Sequence, residues 1–126
     1  TLKFNKDIST KTVILDEEQS TYTAWNTSKV TTFKGMFYRA KAFNQDISNW
    51  NTINVTDMSY MFCETKLFNQ DISSWDTQYV GDMSYMFQKA EKFDQNLSSW
   101  NVKNVTNFSY MFSGGNWGYY MDTGDI

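Results

Sequence analysis

The chain has 126 residues, with 11 basic against 14 acidic side chains and no histidine, so its formal charge is −3. That balance leaves no basic surplus for a nucleic-acid backbone, and the lack of histidine removes His-based triads, His general bases and most zinc sites. One cysteine permits neither an internal disulfide nor a Cys-rich metal site, aromatics at 18% exclude a disordered chain, and no apolar run approaches the ~18 residues of a membrane span.

In chain order, Phe4-Asn5-Lys6-Asp7-Ile8-Ser9 comes first and recurs as Phe43-Asn44-Gln45-Asp46-Ile47-Ser48, an offset of 39. Later units recur every 25 residues, so this first interval carries 14 extra residues. They fall around Lys11 to Thr23 and include the acidic Asp16-Glu17-Glu18. Residues 1–24 therefore read as an N-terminal half-repeat with a capping insertion.

From Trp25 onward the period is strict: Trp25, Trp50, Trp75 and Trp100 stand 25 apart, as do Val30, Val55, Val80 and Val105. Met36, Met61, Met86 and Met111 hold the same interval, each followed by Phe at 37, 62, 87 and 112. Phe33, Met58, Met83 and Phe108 form another column, and Phe43, Phe68 and Phe93 another. Ile47, Ile72 and Leu97 complete the set. Residues 25–112 thus make four in-phase repeats, the last one partial, and 113–126 lose phase as an irregular cap or tail containing Trp117, Tyr119 and Tyr120.

A 25-residue unit with about seven apolar positions cannot bury its own hydrophobic face, but copies stacked on one another can, which predicts a solenoid. Within each unit, Val55 through Phe62 places apolar residues at i, i+3, i+6 and i+7, one face of a short helix with Thr56 or Asp57 at its start. Gln45-Asp46-Ile47-Ser48 suits a brief parallel strand. Each coil is expected to be strand, corner, helical turn, corner. Asn51, Asp76 and Asn101, and again Asn44, Asn69 and Asp94, are expected to bond backbone along the stack.

Phe68-Asn69-Gln70-Asp71-Ile72-Ser73-Ser74-Trp75, continued by Val80 through Met83-Ser84-Tyr85-Met86-Phe87, resembles the BspA-like leucine-rich-repeat surface proteins. Their roughly 25-residue unit is also known as a mycoplasma-type domain of unknown function. The resemblance implies an α/β solenoid, a leucine-rich-repeat-like right-handed coil of about four turns, on a secreted or cell-surface protein. Some members of that family are adhesins.

Tyr60, Tyr85 and Tyr110 lie two residues after the inward Met58, Met83 and Phe108, about 200° around a helix, and so are expected to face outward. A row of tyrosines offers area and hydrogen bonding at low entropic cost, which makes these three the candidate ligand-binding residues. The tryptophan and methionine columns read as core rather than as sugar or soft-metal sites. Thr27, Thr52 and Thr77, with Thr31, Thr56 and Thr106, raise an ice-binding solenoid as a minor alternative, though Val102 and Gly81 interrupt the columns. Asp46 and Asp71 share a column but lack the further oxygen ligands that calcium needs. No metal, cofactor or catalytic cluster is expected.

The leading expectation is a non-enzymatic extracellular or cell-surface module that binds protein or glycan in the manner of an adhesin. The competing one is an architectural spacer, or a subunit touching its neighbours in a larger surface assembly. Neither involves nucleic acid or membrane insertion by this segment.

Overall fold

A computed structural model describes residues 12–14, 21–23 and 26–115. Strands β1 (Thr12–Ile14) and β2 (Thr21–Thr23) pair antiparallel with Val13 opposite Tyr22, inside the insertion expected from the sequence. The half-unit at Phe4 to Ser9, the acidic Asp16 to Glu18, Trp25 and the tail from residue 116 lie outside the described residues.

From residue 26 the chain is a succession of turns that bonds to itself one repeat away. The N–H groups of Met58, Tyr60, Phe62 and Glu64 donate to the carbonyls of Asp82, Ser84, Met86 and Gln88 at 2.7–3.0 Å. Phe33 to Arg39 repeat the pattern one coil earlier, and Met83 to Lys89 one coil later. The residues in between turn inward on their own coil: Met61, Cys63 and Thr65 donate to Met58, Tyr60 and Phe62, three residues back. Alternate peptides therefore build the coil and join it to the next, so that no backbone donor in this run is left over.

This pattern overturns the expected strand plus helical turn. No helix occurs among the described residues, and between residues 26 and 115 strand pairing shrinks to the single parallel bridges Thr32↔Asp57, Asp57↔Asp82 and Asp82↔Asn107. The molecule is not an α/β solenoid of the leucine-rich-repeat kind. The physical reason lies in the turns themselves. Bonds from i to i−3 at every second residue put the same side chains on one face as a helix would, so the apolar spacing looks helical. A helix would need the intervening N–H groups as well, and these go to the neighbouring coil. Positive φ at Tyr60 (58°) and Glu64 (58°) breaks helical continuity. The short strand expected around Ile47 is also absent: Asp46 Oδ1 accepts the Ser48 N–H and Trp50 N–H bonds back to Ile47.

Stacking in phase aligns the core. Phe37 and Phe43 lie face to face at 3.9 Å, Phe62 and Phe68 at 4.1 Å, Phe87 and Phe93 at 4.3 Å. Between coils, Phe43, Phe68 and Phe93 follow one another at 5.6 and 5.7 Å. Two files of phenylalanine rings thus run through the molecule, flanked by buried Met61, Met86 and Met111. The Trp75 and Trp100 indoles are buried, and each donates its N–H to a carbonyl of the coil before, that of Ile47 and Ile72 respectively, at 3.0 Å. That satisfies the polar atom which burial would otherwise strand.

Polar columns close the corners. Thr27, Thr52 and Thr77 are buried and donate their hydroxyls to the carbonyls of Asn51, Asp76 and Asn101. They form inter-coil ties, not a flat outer threonine face. Asn44 and Asn69 accept the N–H groups of Asn69 and Asp94 at 2.9 Å, one coil on.

Candidate functional site

The candidate site is built by one turn per coil. Asp57 Oδ1 accepts both the N–H (2.9 Å) and the hydroxyl (2.7 Å) of Ser59, which bends the chain at once. The Met61 N–H returns to the Met58 carbonyl, and Tyr60 between them takes the left-handed conformation. Asp82 and Ser84 do the same before Tyr85, and Asn107 accepts the Ser109 N–H before Tyr110. In the first coil Thr32 accepts the Lys34 N–H, and the left-handed position is Gly35, φ 63°.

The structure brings all three predicted tyrosines together. Tyr60 and Tyr85 stack at 4.6 Å with rings 6° apart, and Tyr85 and Tyr110 at 5.1 Å and 21°. Tyr60 and Tyr85 are half-buried, while Tyr110 is 62% exposed. They point away from the core, but the left-handed turn directs them, not a helix. A fourth ring extends the row: Tyr38 meets Tyr60 edge-on at 6.2 Å and 83°. Sequence reasoning missed Tyr38 because it belongs to the column of Cys63, Gln88 and Ser113. The one signal available was Gly35, which leaves the tyrosine position of the first coil without a side chain.

Around this row the charges alternate. The column Arg39, Glu64, Lys89 joins Arg39 Nε to Glu64 Oε2 at 3.1 Å and Lys89 Nζ to Glu64 Oε1 at 4.0 Å. Arg39 also lies 5.0 Å from the Tyr38 ring centre. Partial burial, with the neighbouring Tyr85 phenol adding, raises the Tyr60 phenol above its ordinary value. Beside the row, Cys63 is buried with Sγ 3.4 Å from Gln88 Oε1. Burial, then the Glu64 charge, pushes its thiol up to about 11, which suits packing and opposes nucleophilic use.

Asp46 and Asp71 accept the N–H groups of Ser48 and Ser73, and side-chain and backbone bonds to those serines hold both carboxyls below the ordinary value. They serve their own turns. Among the described residues no three His, Cys, Asp or Glu side chains group as metal ligands do, and no helix is long and apolar enough to cross a membrane.

Stacking changes what the tyrosines offer. The mutual faces of Tyr60 and Tyr85 are taken up, so the row presents ring edges and hydroxyls, and at Tyr110 an outer ring face. Such a surface can grip an extended partner by several modest contacts in line; it brings no convergent set of groups to one reacting atom.

A repeat of in-phase turns carrying one periodic aromatic row is the class that fold and site define. The chain belongs to the family described as Mycoplasma protein of unknown function, DUF285, whose model matches residues 2–117. No curated protein matches the chain, and no solved structure does.

Proposed function

We propose that this chain is a non-enzymatic interaction module of an extracellular or cell-surface protein, contacting a protein or glycan along Tyr60, Tyr85 and Tyr110. The observation that carries the reading is the unbroken row these side chains form, Tyr60 on Tyr85 on Tyr110 at 4.6 and 5.1 Å. A non-glycine residue in the left-handed region costs about 1–2 kcal/mol, and ring stacking between coils offsets strain of that size. The same row leaves ring edges and hydroxyls in line for an extended partner. The likeness to BspA-like surface proteins supports the location, and adhesin-like binding is the finer form of this proposal.

The test replaces all three tyrosines with asparagine, which tolerates positive φ and so separates loss of the rings from damage to the turns. Circular dichroism establishes folding, and retention is read on immobilised extracellular-matrix proteins and glycans. Retention lost by the folded variant is expected; retention unchanged moves the contact off this row. A hydrolytic or transfer activity that copurifies through every step would remove the non-enzymatic reading.

A further inference from the structure

Four tyrosines line one side of the turn run, and one pair of them is set to react face to face. Tyr60 and Tyr85 share φ 58°, and their rings lie 4.6 Å apart and 6° from parallel. Rings repeated by translation in this way place each carbon of one opposite its counterpart in the other. The Cε carbons beside the two hydroxyls therefore face each other across the stack. Tyr85 and Tyr110 are looser, at 5.1 Å and 21°. Tyr38 meets Tyr60 at 83°, ring edge to ring face. Tyr79 is 53% exposed but touches no ring among the described residues. Both members of the close pair are only partly buried, so their outward hydroxyls are open to an oxidant. The other easily oxidised side chains beside them, Cys63, Met61 and Met86, are buried.

We infer that Tyr60 and Tyr85 form a site of oxidative cross-linking, where hydrogen peroxide and a peroxidase-class catalyst join two coils through a dityrosine bond. Each phenol gives up one electron and one proton. The unpaired electron of the resulting phenoxyl is shared between its oxygen and the two Cε carbons. Coupling of the two radicals forms one Cε–Cε bond. In that first product each joined carbon still carries its hydrogen, and the new bond stands steeply to its own ring. A face-to-face pair meets that demand, whereas an edge-on pair does not. Each joined carbon then loses its hydrogen as a proton and each oxygen regains one, which restores two aromatic phenols. In sum two C–H bonds break and one C–C bond forms, and the peroxide O–O bond is reduced to two waters. Placement of both rings in one stack replaces a chance encounter by an internal one. The inference stands apart from the contact reading, since it requires no binding partner.

The test treats the intact chain, kept dilute, with hydrogen peroxide and a haem peroxidase. Dityrosine fluorescence, intact mass and mapping of linked peptides read the product. A monomer lighter by two hydrogens, with Tyr60 joined to Tyr85, is expected. Tyr85→Phe keeps a ring that stacks but removes the phenol, and its circular dichroism should match that of the parent chain. In that variant the share of Tyr60 found in any cross-link should fall by about tenfold or more. Tyr38→Phe, Tyr79→Phe and Tyr110→Phe should each keep the link between Tyr60 and Tyr85. Links formed only between chains overturn the inference, as does linkage at Tyr79 or Tyr110 in preference to the close pair. So does a Tyr60 cross-link that survives Tyr85→Phe, a Tyr60–Tyr85 link that Tyr110→Phe abolishes, or oxidation that consumes tyrosine without forming this bond.

Discussion

Tyr85 sits between two rings at 4.6 and 5.1 Å while its own backbone is held at φ 58°. The two effects oppose each other with similar size, since each aromatic pair is worth about 0.5–1.5 kcal/mol and left-handed strain about 1–2 kcal/mol. Tyr85→Gly loses both stacks and the strain together, and should change stability little. Tyr85→Ala loses the stacks and keeps the strain, so urea unfolding should find it less stable than the glycine variant by about 1 kcal/mol. Equal stability of the two would mean that the left-handed turn stores nothing. Titration gives a second residue-scale test. Asp46 and Asp71 are held below 3.8 when folded, so their contribution is present above that value and is lost as pH falls through the lowered one. The pair Asp46→Asn and Asp71→Asn, which copies Asn96 in the same column, should flatten the acid limb of stability below pH 3.8. At the other extreme the Cys63 thiol ionises at 9.0 when unfolded and at about 11 when folded. Stability should therefore fall as pH rises from 9.0 towards about 11, and Cys63→Ala should reduce that fall.

At the scale of the element, one turn depends on one carboxylate. Asp82 Oδ1 accepts both the N–H and the hydroxyl of Ser84 at 2.8 and 2.7 Å. Asp82→Ala should cost about 1–3 kcal/mol through the two lost bonds. Asp82→Asn keeps the acceptor, as Asn107 does in the last coil, and should cost about 0.5 kcal/mol or less in thermal unfolding. This turn also marks where sequence reading stops. The period, the apolar columns and the outward direction of Tyr60, Tyr85 and Tyr110 are legible because identical residues 25 apart must share an environment. The conformation that produces them is not. Met58, Met61 and Phe62 have the spacing of a helix face, and a run of turns bonded three residues back presents them identically. Only the destination of the alternate N–H groups separates the two, and that destination lies in another coil. Tyr38 escaped for the opposite reason: it joins the row from a different column, where periodicity carries no signal.

For the molecule as a whole, the phenylalanine files are the chief source of cohesion. Phe62 contacts Phe68 at 4.1 Å within its coil, and Phe37 and Phe87 at 5.6 and 5.5 Å in the coils on either side. Phe62→Ala should lower stability by about 3–5 kcal/mol, read by chemical denaturation. A loss below about 1 kcal/mol would show that the files do not hold the stack together.

Near-identical layers create an ambiguity during folding, since a phenylalanine meets a phenylalanine whichever layer it lands on. The column Arg39, Glu64, Lys89 resolves it. If the second layer were skipped and the first settled on the third, Arg39 would face Lys89, and two cations would replace two attractive contacts. Thr65 adds a second mark: its hydroxyl reaches the Phe37 carbonyl at 2.9 Å, and the alanines at 40 and 90 have nothing equivalent to offer. These few unrepeated side chains give each layer an address, and a chain whose bulk is interchangeable can thereby assemble in a single order.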